Sequence, residues 1–306
     1  MCRIRTDERV PHTRSLGLGR PDAVAEITVR IGAKVPNSGP LPGSLGIPQM
    51  AQTLEEAGFA SLWVSDHVVL PAEIGSRYPF AADGRATWST SVPYLDAVVA
   101  LALIAGATER ATIGTAVLVL PLRNPVVFAK QAASLDAASS GRLRLGLGAG
   151  WLREEFEALD VPFETRGRRL VEGIRIMREC WTGTYRGDIV CEPRPVGPLP
   201  VYVGGHSERA LQRAGALGDG WLGQQSLDAI DTHELEAAHA AITVAAADAG
   251  RDPSALRVVL RIVDSAGRSQ EVARHLPSLE AAGVDEVIVD LDWDGDPAAD
   301  FARMAA

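Results

Sequence analysis

The sequence predicts a (β/α)8 TIM barrel within the α/β class. Short apolar β-type runs alternate with longer helical patterns from Ile27 onward, eight strand candidates can be counted, and no linker interrupts them. A doubly wound sheet would give the same alternation; the strand number and the missing linker favour the closed barrel. A chain of 306 residues suits one such unit, which takes ~250 residues before insertions.

In chain order, residues 27–36 predict the first strand, with Ile27, Val29 and Ile31 on one face. A helix follows over 45–57, and Gly58 stands where a left-handed stop is expected. The second strand, 60–65, leads straight into Asp66 and His67. Residues 68–91 show no sustained period and contain Pro71, Gly75, Pro79 and Gly84. Loops of that length often act as lids, and Tyr78, Phe80 and Trp88 are candidates to line a substrate pocket.

A helix over 94–107 precedes a near-continuous apolar strand at 111–120, a pattern that suits burial on both faces. Pro125 opens the helix at 125–138, and Leu143, Leu145 and Leu147 alternate along a strand at 142–149. Leu170, Ile174, Met177 and Trp181 form one apolar stripe on a helix at 166–182. The remaining pairs are strand 199–203 with helix 208–217, strand 220–222 with helix 231–249, strand 256–263 with helix 270–282, and strand 286–290 with helix 297–306. Residues 1–26 are polar, rich in Arg and without an apolar signal-peptide core. They are read as a disordered or poorly structured leader before one barrel domain at 27–306.

A formal charge of −9 and a pI near 5.2 argue against a nucleic-acid partner. No apolar stretch approaches the ~18–20 residues of a membrane span. Three widely spaced cysteines offer neither a disulfide framework nor a metal knuckle, which points to a cytoplasmic protein. The six histidines form no HxxxH or HxH pair, so no metal site is expected.

Barrel chemistry sits at the carboxyl ends of strands, and four such ends stand out. Asp66-His67 joins a proton carrier to a carboxylate that could orient it, although alone the pair suits hydrogen-bonded loop residues better. The run from Gly114 to Pro125, through Ala116, Val117 and Val119, ends in Arg-Asn-Pro and alone reads as strand-to-helix punctuation. Gly148, Ala149 and Gly150 let a ring or backbone approach closely, but Trp151 replaces the last glycine of a dinucleotide fingerprint. Gly204-Gly205-His206-Ser207 opens a helix, where outward N–H groups and the macrodipole suit a phosphate. Ser207 as an ordinary N-cap fits equally well.

In this order, the four segments resemble the bacterial luciferase-like monooxygenase superfamily from Ile31 to Ala282. The carrying runs are EEAGFASLWVSDHVVLP, IGTAVLVLPLRNPVVFAKQAASLDAASSGRLRLGLGAGW, FEALDVPFETRGRRLVEGIRIMRECWTG and PVYVGGHSERALQRAGALGDGWLG. The stretch SDHVVLPAEIGSRYPFAADGRATW is similar to actinobacterial members that use the deazaflavin coenzyme F420.

That resemblance implies an oxidoreductase passing a hydride between coenzyme F420 and a small organic substrate, in a homodimer. It places Asp66 against the coenzyme and gives His67 proton transfer or substrate orientation. It also puts a non-proline cis peptide at Ala116–Val117 behind the ring, with Val119 beside it. Gly148, Ala149 and Gly150 would meet the polyol or ring edge, and Gly204, Gly205, His206 and Ser207 the phosphate. Two departures are visible. Trp151 stands where the sugar-phosphate dehydrogenase branch has an acidic residue, and only Arg209 and Arg213 adjoin the phosphate loop in sequence. The alternatives are an FMN-dependent monooxygenase using O2 and a non-catalytic flavin-binding barrel.

Overall fold

A computed structural model describes residues 29–306 except Ala82 and Thr87, so the expected leader at 1–26 lies outside the described residues. Eight parallel strands close a barrel: β1 (Arg30–Lys34), β2 (Ser61–Val64), β3 (Thr112–Val119), β4 (Leu143–Gly148), β5 (Val201–Gly204), β6 (Gly220–Ser226), β7 (Arg257–Val263) and β8 (Glu286–Val289). Each pairs with its neighbour in sequence, and β8 returns to β1 through Ile31 opposite Val287 and Ala33 opposite Val289. One helix follows each strand: α1 (Ile47–Ala57), α2 (Ala97–Ala107), α3 (Pro125–Ala138), α4 (Arg166–Trp181), α5 (Glu208–Leu217), α6 (Thr232–Asp248), α7 (Ser269–Ala281) and α8 (Pro297–Met304).

Local chemistry explains these bounds. Gly58 ends α1 at φ 109°, and its N–H bonds back to Leu54 and Glu55. Asp96 caps α2 by accepting from the Val98 and Val99 N–H groups, and Asn124 caps α3 the same way ahead of Pro125. Strand β6 runs four residues past the expected 220–222 because Gln224 and Gln225 continue the ladder with Arg261 and Ile262 of β7. A short helix at Arg153–Ala158 and a small hairpin, Thr184–Tyr185 with Ile189–Val190, were not foreseen.

The core has two parts. Helix stripes such as Leu170, Ile174 and Met177 pack on the outer faces of the strands. Inside the barrel, Trp63, Ala116, Tyr202, Leu222, Val259 and Ile288 fill the lumen, so it is a plug of side chains rather than a channel. Gly114 makes room for the Trp63 ring, which would lie 2.5 Å from a Cβ there.

At the amino ends of the strands, buried Glu286 accepts from Ser61 Oγ (2.5 Å) and Trp63 Nε1 (3.1 Å) and pairs with Arg30. At the same end, the Arg142 guanidinium donates to the carbonyls of Ala105, Thr108, Ala111 and Ser139 and to Thr108 Oγ1, all at 2.8–3.0 Å. One planar cation thus ties together the loops that enter β3 and β4.

Candidate active site

The carboxyl ends of the strands open into a cleft of about 1510 Å³. Its wall includes Asp66, His67, Ala116, Val117, Val119, Gly148, Ala149, Gly150, Gly204, Gly205, His206 and Ser207, so all twelve expected site residues share one space. Tyr78, Phe80 and Trp88 of the long loop also line it.

His67 leaves β2 and turns its Nδ1 to Glu155 Oε2 at 3.1 Å. The other oxygen of Glu155 accepts from the Val68 and Val69 N–H groups at 2.5 and 3.3 Å. A carboxylate in that position fixes Nδ1 as the protonated nitrogen and leaves Nε2 to exchange a proton with whatever lies in the cleft. Tyr94 and Trp151 pack edge-on against the imidazole at 5.6 and 6.1 Å between ring centres.

Asp66 lines the cleft, but it is not the group that orients His67. Its carboxylate receives both ends of the Arg123 guanidinium at 2.8 Å and the Val119 N–H at 2.9 Å. Its side chain is fully enclosed. Burial pushes the Asp66 carboxyl above its ordinary value, and Arg123 opposes that push. Asp66 therefore ties the end of β2 to the end of β3. The orienting carboxylate is Glu155, and Arg123 of the Arg-Asn-Pro run carries a specific load.

The β3–β4 register shifts between Thr115 and Leu118, and the Ala116–Val117 peptide is cis. This bulge points Val117 into the cleft wall, where two of the expected glycines meet it. A Cβ on Gly148 would stand 2.6 Å from Val117 Cγ2, and one on Gly204 2.8 Å from Val117 Cγ1. Those positions are bare because a protein side chain occupies the space, a reason the sequence did not suggest. Gly150 has φ 85°, and a Cβ there would meet both Phe156 and Val119 at 2.7 Å.

At the start of α5, Ser207 is the N-cap, accepting from the Ala210 N–H at 3.3 Å. Its hydroxyl proton stays available to the cleft. His206 is more constrained. Its Nε2 accepts from the Gln224 N–H at 2.9 Å, so Nδ1 carries the proton and meets Glu234 Oε1 at 3.0 Å. With both ring nitrogens engaged, His206 offers the cleft its backbone and ring face, not a ring N–H for a phosphate.

Arginines missed in sequence complete this end. Arg153, Arg166 and Arg168 join Arg209 and Arg213 along the cleft wall. Arg213 Nε is buried without a hydrogen-bond partner among the described residues. Burial and then Arg166 and Arg209 hold the Arg213 guanidinium below its ordinary pKa. Their signal was hidden because Arg166 and Arg168 read as the polar face of a helix.

The long loop is pinned over this space. Glu154 accepts from the Gly75 and Ser76 N–H groups, both at 2.8 Å, and from Ser76 Oγ at 2.6 Å. Tyr78 packs edge-on against Trp88, Trp151 and Phe80 at 4.9, 5.0 and 5.6 Å. Its hydroxyl accepts from Gln224 Nε2 at 3.1 Å.

Compared with known proteins, residues 37–299 match the luciferase-like monooxygenase family. The chain belongs to that family. A relative of this luciferase-like protein, an uncharacterized protein of Mycobacterium tuberculosis, is 34% identical over 251 residues, 78% of each chain. An F420-dependent hydroxymycolic acid dehydrogenase of the same species is 32% identical over 238 residues, 73% of this chain and 60% of that one. The solved structure of an F420-dependent secondary alcohol dehydrogenase in complex with an F420-acetone adduct aligns with a TM-score of 0.71 and 18% identity. It covers 91% of this chain and 98% of its own, a likeness of fold. Among the described residues no helix is long and apolar enough to cross a membrane.

Proposed function

We propose that this protein is an F420-dependent oxidoreductase acting on a small organic substrate, as a cytoplasmic homodimer in keeping with the family resemblance. The observation that carries the coenzyme choice is the arginine-lined end of the cleft beside the α5 N-terminus. FMN brings a single terminal phosphate, which Ser207 and the α5 N–H groups alone could meet. Arg166, Arg168, Arg209 and Arg213 extend positive charge beyond that point, as a longer anionic tail requires. The volume of about 1510 Å³ exceeds the ~300–1000 Å³ of ordinary small-ligand pockets, leaving room for an extended coenzyme and a second molecule. A relative named as an F420-dependent dehydrogenase supports the same reading.

When bound, a deazaflavin supplies or accepts a hydride at its central ring carbon. The chain's own groups do the rest. Val117 and the bulge would back the ring; Ala149 and Gly150 would flank it. Gly204, Gly205 and Ser207 would take the phosphate through backbone N–H groups and a hydroxyl. His67 Nε2 gives or takes the substrate proton while Glu155 holds the imidazole in place through Nδ1. The loop aromatics Tyr78, Phe80 and Trp88 keep water from the reacting face.

Paired fluorescence titrations test the assignment. F420 is expected to bind with quenched coenzyme emission and FMN at least tenfold more weakly. Equal or tighter FMN binding would overturn it in favour of a monooxygenase.

A further inference from the structure

Across the rim from the arginine-lined end, where β7, β8 and β1 adjoin, stands a second positive group that the coenzyme reading does not use. Lys34 is the last residue of β1, and its side chain lines the cleft. It makes no hydrogen bond or ion pair with any described residue. Arg261 reaches the same space from β7 and donates at 3.3 Å to Ser65 Oγ and at 3.4 Å to the Ala116 carbonyl. It therefore lies between the bulge and the segment that carries His67. Its Nε is buried and has no partner among the described residues.

The charge count around the pair does not close. Asp290, just after β8, is the one carboxylate paired with it among the described residues, 3.6 Å from Arg261 Nη2. Asp66 is committed to Arg123 and Glu155 to His67. Tyr94, beside Ser65, is held above its ordinary pKa by burial and then by Asp66, so it stands as a neutral phenol. Among the described residues two cations thus face one carboxylate, and the Lys34 ammonium keeps its N–H donors unused beside the cleft. Burial first and Arg261 second push the Lys34 ammonium down to about 8, with Asp290 opposing them. A pair that served only the fold would be expected to have its charge met by the protein, since unpaired buried charge is costly.

We propose that Lys34 and Arg261 form the substrate's anion subsite, so that this enzyme acts on molecules carrying a carboxylate or phosphate near the reacting carbon. The assignment rests on the oxidoreductase reading for the word substrate, but the subsite itself does not depend on which coenzyme binds. It also separates two anion-binding ends of one cleft: arginines beside α5 for a coenzyme tail, and the Lys34–Arg261 pair for the molecule being oxidised or reduced.

Calorimetric titration of the F420-loaded protein with acetate, with inorganic phosphate and with acetamide tests this. Acetamide has the shape of acetate without its charge. At least one anion is expected to bind, with acetamide at least tenfold weaker, and the preferred anion tells carboxylate from phosphate. Lys34→Met and Arg261→Gln should each weaken anion binding at least tenfold, and in Lys34→Met F420 affinity should stay within twofold. Raising the pH from 7 to 9 should weaken anion binding to the wild type, because Lys34 loses its proton near 8. The Lys34→Met variant should show no such fall.

Acetamide binding as well as acetate, no binding of either anion, or anion affinity indifferent to both pH and Lys34→Met would overturn the proposal. The pH series needs no variant, so a misfolded Lys34→Met would not spare it. Failure of F420 to bind would instead strike the coenzyme reading, and on the unloaded protein the loss of anion binding between wild type and Lys34→Met would still report on the subsite apart from the arginine-lined end.

Discussion

Replacing Gly148 by Ala distinguishes a glycine kept for a ligand from one kept for the protein. The added Cβ would stand 2.6 Å from Val117 Cγ2, about 1 Å inside the ~3.5–4.0 Å of ordinary carbon contact. Something must move, and overpacking of this kind costs about 1–3 kcal/mol. For a domain of this size that corresponds to a thermal midpoint lower by about 2–5 °C. Val117→Ala alone should cost on the order of 1 kcal/mol, since its side chain is only partly buried. The double variant should recover most of the Gly148→Ala loss, a coupling of about 1–3 kcal/mol for residues in direct contact. F420 titration of the three variants adds the functional half: if Val117 is what Gly148 accommodates, the double variant binds the coenzyme as well as Val117→Ala does. An unchanged midpoint in Gly148→Ala, or additive effects in the pair, would refute the packing argument. Restored stability with F420 binding weaker than in Val117→Ala would return Gly148 to the coenzyme.

His67→Ala should keep F420 affinity within about twofold and lower turnover by about 10²–10⁴, read as the rate of coenzyme oxidation or reduction; unchanged turnover removes His67 from the chemistry. Glu155→Gln should lower turnover by about 10–100-fold and alter its pH profile, because the amide no longer holds Nδ1 as a donor to a carboxylate. A variant with the wild-type profile would show Glu155 to be structural. Glu55 gives a stability test remote from the cleft. Burial pushes its carboxyl up, but the Ala111, Arg110 and Glu109 N–H groups outweigh that and hold it below 4.5. A depressed folded value stabilises the native state above the unfolded value and ceases to do so as pH falls through the folded one. Glu55→Gln should therefore lower the thermal midpoint by about 2–4 °C at pH 7 and by progressively less below pH 4.5; a pH-independent difference would contradict the argument. Glu154→Ala should speed amide exchange at Gly75 and Ser76 and leave the barrel strands unchanged. Equal exchange there would mean that the aromatic cluster alone holds the loop.

The barrel was legible because its strands are apolar on both faces and its helices carry stripes; 111–120 and 166–182 each show their period without help. The end of β6 was not, since Gln224 and Gln225 earn their place through ladder partners on β7 that no local pattern announces. Site residues grouped at strand ends could be found one end at a time. What could not be found was which groups meet across the barrel. Adjacency in sequence favours Asp66 as the partner of His67, yet the chain leaves β2 with Asp66 turned toward Arg123, and Glu155 arrives from a short helix after β4. Arg166, Arg168, Lys34 and Arg261 carry no local pattern that singles them out in the sequence. Each needs the closed barrel before its neighbours exist.

Arg142 shows what such a division of labour permits. Its five-way clasp secures the end of the barrel remote from the cleft. A lysine there would keep the charge but lose the flat fork that reaches four carbonyls at once. Because the scaffold is fastened on that side, exchanges at the open mouth, Trp151 or the 68–91 loop among them, can retune which molecule is accepted without loosening the frame that presents it.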